Sequence, residues 1–178
     1  KYGNRFADKF WTNIFEMGTN NKIYQKKCRR HFESVWQPKR GRKMSEWKKV
    51  KIGDVCKIIK GSTGIASAEP GEYPLVVTAE ERKTCSTYQF DCEAVCIPLV
   101  SSSGHGKKSL KNVHYQSGKF ALGTILCAII PNDSNELDAR FLRQYLLFYK
   151  DKILVPLMKG AANVSLSMKD IATVEIPL

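Results

Sequence analysis

Apolar positions follow two regimes along this chain. In residues 4–36 they recur every three to four places. Phe6, Phe10, Ile14 and Met17 form a stripe that Trp11 and Phe15 widen. The turn Gly18-Thr-Asn-Asn21 follows, and a second stripe runs through Ile23, Tyr24, Lys27, Cys28, Phe32, Val35 and Trp36. The pattern predicts an antiparallel helical hairpin. From Trp47 the apolar positions shorten into strand-like runs: Val55 to Ile59, Tyr73 to Thr78, Ala94 to Val100 (broken by Pro98), and Phe120 to Ile130 with Gly123 inside. One clear helix interrupts them, Ala139 to Lys150, with Asp138 at its N-terminus. Near the end Ser167 caps a single helical turn with Asp170 three residues on, and Val174, Ile176 and Leu178 then alternate with polar neighbours as a half-buried strand. The expected fold is an α+β domain over residues 47–178, with a curved mixed β-sheet and few helices. A helical hairpin and basic linker, residues 1–46, precede it.

Composition sharpens this in one respect. The 178 residues carry a net charge of +12, with ordinary proportions of hydrophobic and charged residues. Residues 1–46 hold 12 Lys/Arg against 4 Asp/Glu, and the remainder 17 against 13. No apolar run reaches the roughly 20 residues of a membrane span, and no secretory signal opens the chain. A basic chain of this kind is most simply a polyanion binder, with nucleic acid first among the polyanions. The six cysteines include no CxxC pair, and no histidine pair stands at ligand spacing. Cys56 and Cys127 lie in apolar runs and read as small core residues. A zinc site from Cys85, Cys92, Cys96 and His105 is a remote alternative to reduced thiols in a cytoplasmic protein.

Between the strands lie loops rich in glycine, small hydroxyls and charge. These are Lys60-Gly-Ser62-Thr63-Gly64, the segment Thr78-Ala-Glu80-Glu-Arg82-Lys83, Ser101 to Ser109, and Lys159 to Asn163. Glycine lets a backbone approach a ligand closely, and short hydroxyls donate and accept. None of these is a phosphate-binding P-loop. No methyltransferase Asn/Asp-Pro-Pro-Tyr/Phe tetrad and no cofactor-binding glycine turn occurs, so no catalytic residue, cofactor or metal is expected.

Residues 47–178 resemble a target-recognition domain of the specificity subunit of type I restriction-modification systems. Four motifs carry the resemblance, in family order: Trp47-Lys-Lys-Val-Lys-Ile-Gly-Asp-Val, Gly71-Glu-Tyr-Pro-Leu-Val, the helix Phe141-Leu142…Tyr145-Leu146, and Lys159-Gly…Asn163…Leu166-Ser167…Ile171…Ile176-Pro-Leu178. The resemblance implies a non-catalytic reader of one half of a split DNA sequence. Its implied partners are double-stranded DNA, the methyltransferase and restriction subunits or domains, and a second recognition domain reached through spacer helices that would begin after Leu178. The opening lysine suggests a piece of a larger polypeptide, and residues 1–46 then read as a spacer end or as the joint to a fused adenine-N6 methyltransferase.

Lys60, Lys107, Lys108, Lys111 and Lys159 are the expected phosphate contacts, with Ser62 and Thr63 beside Lys60. Arg82 and Lys83, with Thr78 and Glu80 beside them, are the first expected base readers; Ser102, His105 and Asn163 are the second. A reading of another class is a basic assembly module that docks an acidic protein through the Phe6, Phe10, Trp11, Phe15 stripe.

Overall fold

A computed structural model describes residues 48–103 and 106–178. The expected hairpin at 1–46, Trp47 and His105 lie outside the described residues. The domain opens with β1 (Lys49–Lys51), one helical turn α1 (Ile52–Val55) and β2 (Cys56–Lys60). Next come β3 (Tyr73–Val76), β4 (Lys83–Cys85), β5 (Phe90–Asp91), β6 (Ala94–Pro98) and β7 (His114–Gln116). The chain continues through β8 (Lys119–Leu122), β9 (Leu126–Pro131), α2 (Ala139–Ile153), a 3-10 turn, α3 (Met168–Ala172) and β10 (Glu175–Pro177).

The strands divide among three sheets. The first is antiparallel, in the order β2-β9-β6-β7. The second runs β4-β3-β8-β5 and is mixed, because β3 and β8 are parallel. The third joins the two ends of the domain: β1 pairs β10 with Val50 opposite Ile176 and Lys51 opposite Glu175. The α+β class read from the sequence is therefore the class observed, with its strands shared among three small sheets.

Strand alternation explains why β6 and β9 read as unbroken apolar runs. Val95, Ile97, Cys127 and Ile129 face a core that includes Leu142 and Leu146 of α2. Their neighbours Ala94, Cys96, Leu126 and Ala128 face a second core with Val76, Phe90, Phe120 and Leu122 of the mixed sheet. Both faces of this central sheet are covered, so alternation in space leaves no alternation in polarity.

Two expected elements change. The run Phe120 to Ile130 is not one strand: it breaks at Gly123, whose N–H donates to the Val76 carbonyl and whose carbonyl accepts from Leu126. A Cβ at Gly123 would meet Ile65 Cδ1 at 2.8 Å, so glycine lets the turn nest under the Gly61–Ala68 loop. Helix α2 runs to Ile153 rather than Lys150, capped by Asp138, which accepts from the amides of Arg140 and Phe141. Ser167 caps α3 as expected: its Oγ accepts from the Asp170 amide at 3.0 Å.

Candidate nucleic-acid interface

Strand register gathers separate loops at one end of the domain. Lys60 ends β2 opposite Cys127, and Pro98 ends β6 opposite Leu126. Val76 ends β3 beside Leu122 of the parallel β8. The loops that follow β2, β3, β6 and β8 all leave from this end. Backbone bonds tie them to one another. Thr63 donates to Leu122 and accepts from Thr124, and Gly123 donates to Val76, two residues before Thr78. Leu99 donates to Ile125, which brings the loop after β6 alongside.

A fifth segment joins from the far end of the sequence. The amides of Lys159 and Ser165 each donate to the other residue's carbonyl at 2.8 Å and close a small loop. That loop lies against the serine-rich one. Ser101 donates to Val164, Leu166 donates to Leu99, and Gly106 donates to Ala162. Gly160 turns with φ 123°, and a Cβ there would sit 2.2 Å from the Asn163 carbonyl, so glycine is required. Ser102, Lys107, Lys108, Lys111, Lys159 and Asn163 are thereby brought together, and all six are exposed.

The serine run holds its own loop. Ser101 Oγ donates to the Lys107 carbonyl, with the Ser109 carbonyl 3.4 Å away, and accepts from the amides of Ser103 and Ser109. Ser102 Oγ accepts from the Lys111 amide at 2.9 Å. These hydroxyls do for the loop what a backbone ladder does for a strand, and they present Lys107 and Lys108 outward on a formed scaffold. Lys159 instead lies 3.1 Å from the Asp170 carboxylate, whose pKa is held below the usual value by the Ser167 hydroxyl and by Lys159.

Arg82 stands in a different setting from the one its sequence context suggests. Its Nε donates to Gln116 Oε1 at 3.0 Å, Nη1 to the Glu80 carbonyl at 3.0 Å and to His114 Nδ1 at 3.1 Å, and Nη2 to the Tyr115 carbonyl at 3.2 Å. Four of the five guanidinium N–H groups are thus engaged by the fold, whereas a bidentate base contact needs two free ones. The Asn112 amide donates to the Thr78 carbonyl, so the Thr78–Arg82 loop is pinned to the segment leading into β7 at two places. Lys83 lies apart from this bracing, exposed at the start of β4 opposite Leu75.

Burial, with help from Arg82 and Arg143, lowers the pKa of His114 to about 4. Arg143 Nε donates to the Val113 carbonyl at 3.1 Å. Arg143, Asn112 and Gln89 were not legible as site residues in the sequence: each acts through a bond to a backbone group some thirty residues away. No cluster of three potential metal ligands occurs among the described residues, and no helix there is long and apolar enough to cross a membrane.

Residues 44–178 match the family model of the type I restriction modification DNA specificity domain. Solved structures share the fold. The S subunit of a type I restriction-modification system from M. genitalium is 20% identical, with a TM-score of 0.59 over 75% of this chain and 34% of that one. The HsdS subunit from Thermoanaerobacter tengcongensis is 20% identical, with a TM-score of 0.53 over 96% of this chain and 44% of that one. A chain from a structure on complex assembly and conformational transition of the type I R-M system is 22% identical, with a TM-score of 0.54 over 88% and 41%. The protein therefore spans less than half the length of each solved chain. No curated protein matches it. With the match extending over most of its length, the chain belongs to the family of type I restriction modification DNA specificity domains.

Proposed function

We propose that this chain binds double-stranded DNA sequence-specifically and reads one half of a bipartite target for a restriction-modification complex. In this reading it performs no chemistry of its own. Methylation and cleavage belong to methyltransferase and restriction partners, and a second recognition domain reads the other half-site. One observation carries the proposal beyond family membership: Lys60, at the end of β2, lies at the same end of the strands as the loops holding Lys107, Lys108, Lys111 and Lys159. Lysines on formed loops suit phosphates, which set register and orientation. Ser102, Asn163, Glu80 and Lys83 stand nearby with the donors and acceptors that base edges match. His105, inside the serine-rich loop, joins them in this proposal.

Fluorescence anisotropy with a mixed-sequence duplex tests the class of partner. Binding should weaken steeply between about 50 and 200 mM salt, as counterions released from phosphates require. Binding that is absent at low salt, or that does not change with salt, would favour the protein-assembly reading.

A further inference from the structure

The loop after β2 is held on its outer side by one side chain. Past Lys60, the last residue of β2, the inward backbone bonds fall on alternate residues, the spacing that sends successive backbone groups to opposite sides. On the inner side Gly61 donates to Leu126 and Thr63 to Leu122. On the outer side the Lys60 carbonyl and the Ser62 amide face away from the sheet. The Gln89 carboxamide meets both: Oε1 accepts from the Ser62 amide at 2.9 Å, and Nε2 donates to the Lys60 carbonyl at 2.9 Å. Gln89 is itself anchored, because its amide donates to the Phe120 carbonyl at 2.9 Å.

A carboxamide has the donor and acceptor of a peptide group. Placed across residues i and i+2 of an extended segment, it replaces one residue of a neighbouring strand. The same alternation directs the Lys60 and Ser62 side chains to one face, where both are exposed, while Gly61 is buried. A Cβ at Gly61 would lie 2.2 Å from the Gly123 carbonyl, so the inner side admits no side chain.

We infer that Gln89 is a positioning residue for DNA recognition: its side chain fixes the Lys60–Thr63 strip so that Lys60 and Ser62 face the duplex together. Both ends of its amide are engaged by the fold, so it acts through these two residues rather than on a base. This inference rests on the DNA-binding reading proposed above. It adds a residue that neither the motifs nor the charge pattern singles out.

The test uses the full chain and two variants. Gln89→Met keeps the bulk and removes both bonds, and Gln89→Glu keeps the acceptor for Ser62 but cannot donate to Lys60 at neutral pH. Amide hydrogen exchange reads the geometry without DNA. The Ser62 amide should exchange at least tenfold faster in Gln89→Met and near the wild-type rate in Gln89→Glu, with the Leu75 and Ile129 amides unchanged in both. A Ser62 amide equally protected in Gln89→Met overturns the clasp. Selection from a randomised duplex pool reads recognition. Gln89→Met should bind the sequence chosen by the wild-type chain roughly tenfold more weakly, the effect of one or two net hydrogen bonds, and should lose part of the margin by which that sequence is preferred over unselected duplex. If the wild type enriches a sequence and Gln89→Met binds it equally well, the positioning role is wrong and the DNA reading stands. If the wild type enriches none, the DNA reading fails and takes this role with it, even where the exchange result shows the clasp.

Discussion

Arg82 Nη1 lies 3.1 Å from Nδ1 of His114, and this contact determines which nitrogen of the ring carries the proton. A guanidinium only donates, so Nδ1 must accept and the proton resides on Nε2. The Val77 backbone lies close enough to favour that proton but outside hydrogen-bond geometry, and Nε2 has no partner among the described residues. The imidazole is 6% exposed and is held neutral by burial first and by the adjacent Arg82 and Arg143 charges second. A buried neutral histidine and a half-buried arginine thus brace the loop from which base readers were expected.

Arg82→Ala should therefore cost stability. Four acceptors lose their donor, one of them the buried His114 nitrogen, and urea unfolding should show a loss of about 2–3 kcal/mol. Arg82→Lys should recover little of it, because one ammonium cannot span four acceptors set around a planar fork. An Arg82→Ala protein with wild-type stability and an altered base preference would restore Arg82 to the role of base reader.

His114 gives the domain a pH signature. Its pKa is depressed from 6.5 to about 4 on folding, so the unfolded chain takes up the proton first as pH falls. The stability it contributes is fully present above about pH 6.5 and is lost as pH falls toward 4, on the order of 3 kcal/mol in all. The non-titrating His114→Gln should flatten the unfolding free energy across that window relative to wild type. Parallel pH profiles for the two proteins would contradict this.

Gly61→Ala tests the inner side of the Lys60–Thr63 strip. The new methyl would meet the Gly123 and Leu122 carbonyls at 2.2 and 2.6 Å, both backbone atoms that cannot turn aside. Thermal unfolding should register a loss of about 1–3 kcal/mol. Gly118→Ala makes a useful contrast: nothing lies within 4 Å of its Cβ, and only the positive φ of 71° is strained.

Replacing Lys107 and Lys108 together by alanine should weaken binding to every duplex alike. It should also lower the slope of log affinity on log salt by about 1.8, roughly 0.9 for each phosphate that is no longer neutralised. Asp170→Asn acts in the opposite direction by removing the counter-ion of Lys159, so binding at low salt should tighten by about twofold, within the range of an exposed ion pair.

The core was legible where periodicity was unambiguous. The stripe of α2, the run of β6 and the capped turn at Ser167 all appear where the pattern put them. β4, β5 and β7 were not legible, because strands of two or three residues leave no period to detect. The break at Gly123 was hidden inside an apolar run, since its turn packs under another loop instead of facing water. The lysines of the candidate site were visible as charge in glycine-rich loops. Their convergence was not, because it follows from pairings such as Lys60 with Cys127 and Pro98 with Leu126. Arg82 is the instructive residue. Its place in a charged loop beside Glu80 and Lys83 makes it look like a base reader, and only the fold reveals Gln116, His114 and Tyr115 around it.

If one end of the domain faces DNA, amine labelling of the chain with and without bound duplex shows it within a single molecule. Lys60, Lys107, Lys108, Lys111 and Lys159 should be protected by duplex. Lys49 and Lys51, which precede the other end of β2, should label equally in both states. Protection of Lys49 and Lys51 with the loop lysines left reactive would place the DNA at the other end of the domain and overturn the assignment of the loop lysines.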